Sequence, residues 1–322
     1  MTQSERELFG ILKDVSRSFY ISVRFLPKKV RLTIALGYLL ARASDTIADT
    51  NGTAPQLRSA FLAQFLEQIR CAGDSNTLLD FTPFLSRQAD GPEKTLLLHL
   101  NPVIRSLGLI APLHRELVAE VLSKIIHGQT LDIERFETRP GVQGLPDDAS
   151  LEEYTYLVAG SVGEFWTKVC LLEWKGYSDQ PDASLLGLGR DFGHGLQLIN
   201  ILRDFPNDLR QGRSYLPVTN LEVVALDPNL ARSEWERWRQ RALSYLEGGW
   251  QYVNAVRPPR VRFASALPLF IGVRTLDLLG REPKLRPGIK VPRSEVKSLI
   301  YWAAALAWFP ALKGYIRQRV FR

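Results

Sequence analysis

Gly193-His194-Gly195-Leu196-Gln197-Leu198-Ile199-Asn200-Ile201-Leu202-Arg203-Asp204-Phe205-Pro206-Asn207-Asp208 is a largely apolar run with regularly spaced polar residues. As a helix it puts Gln197, Asn200, Asp204 and Asp208 at i, i+3, i+7 and i+11, one stripe of a 3.6-residue period. Leu196, Leu198, Ile199, Ile201, Leu202 and Phe205 cover most of the remaining surface. A helix apolar nearly all round belongs inside a sizeable protein, so its polar stripe must face a buried partner or a cavity.

A second helix, from Leu32 to Asp49, repeats the arrangement with Tyr38, Arg42, Asp45 and Asp49 at i, i+4, i+7 and i+11. Two buried helices, each with carboxylates four apart beside an arginine, predict two walls of one cleft. Like charges at that spacing cost a free helix ~0.2–0.5 kcal/mol per pair, and burial raises the cost. Cations must be near: either Arg42 and Arg203 in a structural ion-pair network, or a bound ligand's counter-ions.

The chain has 322 residues, 45% hydrophobic and 23% charged, with a net charge of +7. Such a chain can bury a core, and its basic balance suits diphosphates, an anionic membrane surface or nucleic acid. No zinc-finger spacing or other nucleic-acid signature accompanies the charge, which argues against nucleic acid. Two cysteines make no disulfide framework and no signal peptide opens the chain, so a cytoplasmic protein is expected, with peripheral membrane contact open. The four histidines are dispersed and read as surface or packing residues. Repeats of 20–50 residues are not visible and alternating strand patterns are scarce. The reading is all-α, one domain over residues 1–322.

Along the chain, Pro27 closes a first helical segment and Lys28 begins the Asp45 helix. Thr50-Asn51-Gly52-Thr53 breaks that helix after Asp49, and Pro55 starts another with Leu57, Phe61, Leu62, Phe65, Leu66 and Ile69 on one face. A helix is expected over 112–136. Arg139 to Ala149 reads as a loop, and Ser150 with Glu153 as a capping box. In the helix that follows, Gly160 and Gly163 each cost ~1 kcal/mol relative to alanine, so another helix or a ligand chain must approach closely there. Ser233 with Glu236 marks a further capped helix, Val261 to Leu279 is strongly apolar, and Leu299 to Leu312 is shorter than the ~20 residues a spanning helix needs. Pro206 removes a backbone donor between Asp204 and Asp208 and is expected to kink the helix.

Asp45-Thr46-Ile47-Ala48-Asp49, together with Asn200 to Asp208, resembles the paired aspartate-rich motifs of the squalene and phytoene synthase family. Tyr154-Thr155-Tyr156-Leu157-Val158-Ala159-Gly160-Ser161-Val162-Gly163 resembles the same family's Tyr-x-x-x-Val-Ala-Gly-x-Val-Gly motif. The resemblance implies an isoprenoid-synthase helical bundle around a central cavity. It implies Mg²⁺ held by Asp45, Asp49, Asp204 and Asp208, with Asn200 as a neutral fifth ligand. Ser16, Arg17, Ser18, Gln197, Arg203 and Arg213 are the implied contacts to prenyl diphosphate substrates. Tyr154 is the implied catalytic tyrosine, joined by Arg42 and by the aromatic face of Tyr38. Lys290 and Arg293 loosely match a basic segment associated with NADPH. The Asp45 motif behind Leu39-Leu40-Ala41-Arg42 looks more like squalene synthases than like the Asp-Asp form common in phytoene synthases. The expected reaction is therefore head-to-head joining of two farnesyl diphosphates to squalene with NADPH reduction. Phytoene or dehydrosqualene synthase, presqualene diphosphate synthase and a non-catalytic assembly factor are the alternatives.

Overall fold

The structure, a computed structural model, describes residues 3–16, 18–71, 78–137 and 141–321. Helix is nearly all of the regular structure described, and strand is confined to two dipeptides. Backbone contacts gather into two compact units: Met1–Glu134 with Lys168–Glu173, and Arg135–Thr167 with Trp174–Arg322.

The first unit holds α1 (Gln3–Ser16), α2 (Ser18–Phe25), α3 (Lys28–Ala48), α4 (Pro55–Arg70), α5 (Thr82–Leu85), α6 (Pro92–Leu98), α7 (Leu100–Arg105) and all but the end of α8 (Pro112–Phe136). Pro27 stands at the N-cap of α3 in non-helical backbone, without a side-chain capping bond. Buried Arg31 donates from Nε and Nη2 to the Leu26 carbonyl, at 2.8 and 2.6 Å, and so holds the turn between α2 and α3. The apolar face of α3 is fully packed by Ile34, Leu36, Leu39, Leu40, Ala43 and Ile47. Asp49 is the C-cap, its N–H donating to the Asp45 carbonyl at 2.9 Å. Gly52, at φ +75, then turns the chain in the left-handed region that favours glycine. On α4, Phe61, Leu62, Phe65 and Ile69 are buried as expected, whereas Leu57 in the first turn is exposed.

The second unit runs through α9 (Asp148–Thr155), a π-helical turn (Tyr156–Gly160), the first half of α10 (Ser161–Glu173), α11 (Asp182–Arg210), α12 (Leu221–Leu226), α13 (Arg232–Ala255), α14 (Pro259–Arg281), α15 (Arg293–Trp308) and α16 (Lys313–Val320). Three local expectations are corrected here. The cap of α9 is Asp147, in extended backbone, whose Oδ1 accepts the Ser150 N–H at 2.8 Å; Ser150 itself lies within the helix. No side chain caps α13, because a 3₁₀ turn at Pro228–Ala231 runs straight into it. The predicted loop 139–149 contains β1 (Gln143–Gly144), parallel to β2 (Arg213–Ser214), with Gln143 opposite Arg213.

α11 organises this unit. A Cβ on Gly163 would stand 1.9 Å from the Gly189 carbonyl oxygen, and one on Gly193 would stand 2.1 Å from that of Ala159. The glycines therefore serve helix-on-helix packing, which settles the choice the sequence left open. Gly195 and Gly272 do the same for α13 and α14, where added Cβ atoms would meet Leu246 and Ile199 at 2.8 Å.

Pro206 lies inside α11, yet the helix continues to Arg210. Proline cannot donate to the carbonyl four residues back, that of Leu202. Buried Trp235 of α13 supplies the missing bond, its indole Nε1–H donating to the Leu202 oxygen at 2.9 Å. Trp235→Phe should thus strand a buried acceptor and lower stability by roughly 1–3 kcal/mol. In a Pro206→Ala background the restored N–H satisfies that carbonyl, so a double-mutant cycle by urea unfolding should show the Trp235 loss clearly reduced. Equal losses in both backgrounds would mean the tryptophan acts through packing alone.

Candidate active site

In the first unit, α3 carries Tyr38, Arg42, Asp45 and Asp49 along one stripe, as the periodicity requires. The half-buried Tyr38 ring lies on Phe19, with centroids 4.8 Å apart, and its hydroxyl donates to the Val15 carbonyl at 3.4 Å. Burial raises the Tyr38 pKa, Arg42 opposes the rise, and Asp45 and Glu93 add to it. The phenol therefore stays protonated at neutral pH and offers a donor and an aromatic face. Arg42 is ion-paired at 2.7 Å with Glu93 on α6, a partner that sequence spacing gave no means of finding.

Asp45 is a strongly perturbed acid. Its carboxyl is pushed up to about 6, chiefly by burial and then by the charge of Asp49, against the pull of Arg42 and a hydrogen bond from Gln129. That bond runs from Gln129 Nε2 on α8 to Asp45 Oδ1 at 2.6 Å. Asp49 is exposed at the helix end. Ser16 is buried, and its hydroxyl bonds back to the Leu12 carbonyl in its own helix. Arg17 and the Ser18 side chain lie outside the described residues.

The α11 stripe belongs to the second unit. Exposed Asn200 donates from Nδ2 to Gln197 Oε1 at 3.3 Å. Arg203 forks its neighbour Asp204, Nε to Oδ1 at 2.9 Å and Nη2 to Oδ2 at 2.5 Å. Asp208 is 6% exposed and accepts from Arg213 Nε at 3.1 Å. The ion-pair reading thus holds for this stripe, where each aspartate has an arginine. On α3, Arg42 of the same stripe is bound to Glu93.

Tyr154 is buried at the end of α9, directly before the π turn, a distortion that recurs at functional sites. Its ring stacks on Tyr215 at 4.7 Å, and Tyr215 meets Phe136 edge-on at 5.2 Å and the Arg213 guanidinium at 5.7 Å. Tyr154, Tyr215, Arg213 and Asp208 therefore form one continuous cluster. The Tyr215 role escaped the sequence reading, although Arg213-Ser214-Tyr215 as a strand puts the first and third residues on one side. The β1–β2 pairing fixes that segment.

His194 proves to be a packing residue, as expected: its pKa is pulled down to about 4, chiefly by burial, and it lies flat on Tyr245 at 5.0 Å. Lys290 and Arg293 are exposed, Arg293 being the first residue of α15. Among the described residues no three His, Cys, Asp or Glu side chains cluster closely enough to hold a metal alone. What each stripe offers is two carboxylates. All are hard oxygen donors, which fits Mg²⁺, a cation usually bound through one or two carboxylates plus substrate phosphate and water.

Comparison with known proteins bears on the whole chain. The squalene synthase of Eremothecium gossypii is 24% identical over 316 residues, covering 93% of this chain and 68% of its own length. Among solved structures, TcSQS in complex with the ligand E5700 superposes with a TM-score of 0.80 at 22% identity, over 99% of this chain and 91% of that one. A dehydrosqualene synthase in complex with ligand gives a TM-score of 0.67 at 21% identity, over 94% and 96%. These two share the fold. The sequence model of squalene/phytoene synthase matches residues 12–295 and so runs through both units, and on that match the chain belongs to the squalene/phytoene synthase family of prenyltransferases.

Proposed function

We propose that this chain is a Mg²⁺-dependent squalene synthase, acting as one catalytic domain, that joins two farnesyl diphosphates through a cyclopropyl diphosphate and reduces the product with NADPH. The observation that carries the reading is the Asp45–Asp49 pair, in which burial and then the charge of Asp49 push Asp45 up to about 6 while Arg42 is ion-paired with Glu93. Asp45, Asp49, Asn200, Asp204 and Asp208 are the proposed metal ligands. Mg²⁺, when bound, neutralises the diphosphate and makes it a competent leaving group.

Around that chemistry the chain's own residues bind and orient. Gln197, Arg203 and Arg213, with the Ser16-Arg17-Ser18 segment, give hydrogen bonds and charge to phosphate oxygens. Departure of the first diphosphate leaves an allylic carbocation at C1, which the ring faces of Tyr38 and Tyr154 stabilise. The C2–C3 double bond of the second substrate attacks it, forming the new carbon–carbon bond. Loss of a proton then closes the three-membered ring, and the Tyr154 hydroxyl or the released diphosphate takes that proton. NADPH, when bound, supplies the hydride of the second step, and exposed Lys290 and Arg293 offer its phosphates two cations.

The protein is proposed to be cytoplasmic and to visit a membrane surface. Trp308, Phe309, Leu312 and Tyr315 are exposed, with Lys313 and Arg319 among them, the pairing of aromatic and basic groups that suits an anionic interface. Co-flotation with phosphatidylglycerol vesicles should fall several-fold in Trp308→Ser/Phe309→Ser and stay low for wild type on phosphatidylcholine; equal binding to both lipids would exclude this surface.

Product analysis decides the reaction. Purified protein with farnesyl diphosphate, Mg²⁺ and NADPH should yield squalene, and without NADPH the cyclopropyl diphosphate or a dehydro product. Tyr154→Phe should lower hydrocarbon formation by roughly 10²–10⁴-fold, the scale of general acid–base help, with substrate binding kept. A C40 product from geranylgeranyl diphosphate, indifferent to NADPH, would make the chain a phytoene synthase, and no turnover on either substrate would leave an assembly role.

A further inference from the structure

Gln129 is a buried polar side chain of the first unit, at 7% exposure, and it sits on α8 against the aspartate stripe of α3. Its Nε2 carries two protons, and both are spent: one on Asp45 Oδ1 at 2.6 Å, the other on Ser44 Oγ at 3.0 Å. The Ser44 proton goes to the Ala41 carbonyl at 2.8 Å, so Ser44 accepts from Gln129. These two acceptors fix which end of the amide is nitrogen, because the reverse orientation would press Oε1 against the Asp45 carboxylate. The orientation has a cost at the other end. Gln129 Oε1 is inaccessible and has no hydrogen-bond partner among the described residues, and a buried unsatisfied acceptor is destabilising. Packing alone would favour an apolar side chain of the same length.

From this unbalanced amide we infer that Gln129 is a positioning residue for Asp45. It holds Oδ1 from behind, fixes the carboxylate plane and leaves Oδ2 as the oxygen for a cation. The inference rests on the proposed role of Asp45 as a Mg²⁺ ligand, and Gln129 acts through that ligand, as outer partners of metal-bound carboxylates do.

Gln129→Met keeps length and volume while deleting both the bond to Asp45 and the stranded oxygen. Calorimetric titration of the full chain with Mg²⁺ in the presence of inorganic diphosphate should show the Kd weakened by roughly 10–100-fold, the usual effect of losing such a partner. Thermal unfolding without metal should give a Tm within a few degrees of wild type, because removing the stranded oxygen offsets the lost donor to Asp45. Asp45→Asn, run alongside, should weaken Mg²⁺ binding at least as much. A wild-type Kd in Gln129→Met with a weakened one in Asp45→Asn overturns the role of Gln129 alone; unaltered binding in Asp45→Asn overturns the ligand assignment beneath it. A Tm that falls further than that, together with the affinity, makes Gln129 a packing residue and also overturns the inference. Should Gln129→Met not fold, Gln129→Asn, too short to reach Asp45, provides the same comparison.

Discussion

Two carboxylates four residues apart on an otherwise apolar helix repel each other, and the one that is buried loses the water that would screen the repulsion. On α3 that member is Asp45, which is forced toward neutrality while Arg42 of the same stripe is ion-paired with Glu93. A protein selected only for stability would replace such a pair, since burying charge is costly. Its retention makes sense if a multivalent cation is part of the working state. The second stripe meets the same constraint differently, with Arg203 on Asp204 and Arg213 on Asp208.

What keeps the second stripe in place is the packing of α11. Carbonyl oxygens of one helix lie where a Cβ would stand on the other, at Gly163 and Gly193, so no larger residue is admitted without moving backbone. Such close approach leaves α11 little freedom to shift. The Trp235 bond to Leu202 lets the helix run past Pro206, which carries Asp208 onward to Arg213. Arg213 is placed in turn by the short parallel pairing with Gln143. Tyr154 joins the cluster through its stack on Tyr215.

Much of this was legible in the sequence because it rests on periodicity and on proline. The 3.6-residue spacing gave both polar stripes, and Pro27 and Pro55 fixed the starts of α3 and α4. Gly160 and Gly163 announced a close approach, though not what approached. The parts that were hidden share a cause: they depend on contacts between segments distant in the chain. Glu93 and Gln129 reach α3 from α6 and α8, with nothing in their own neighbourhoods to mark them. A two-residue strand is too short to show alternation, so β1 and β2 left no pattern. The Asp147 cap was displaced to Ser150 because both residues suit capping and only backbone geometry separates them.

The two aspartate stripes are proposed to hold Mg²⁺ and a prenyl diphosphate. Equilibrium binding of a non-reactive farnesyl diphosphate analogue, measured with and without Mg²⁺ on wild type and on Asp204→Asn, separates this role from a structural one. Wild type should bind tightly only when Mg²⁺ is present, and Asp204→Asn should lose that binding with its fold unchanged. Binding that is as tight without Mg²⁺ as with it, and equal in the variant, would contradict that role.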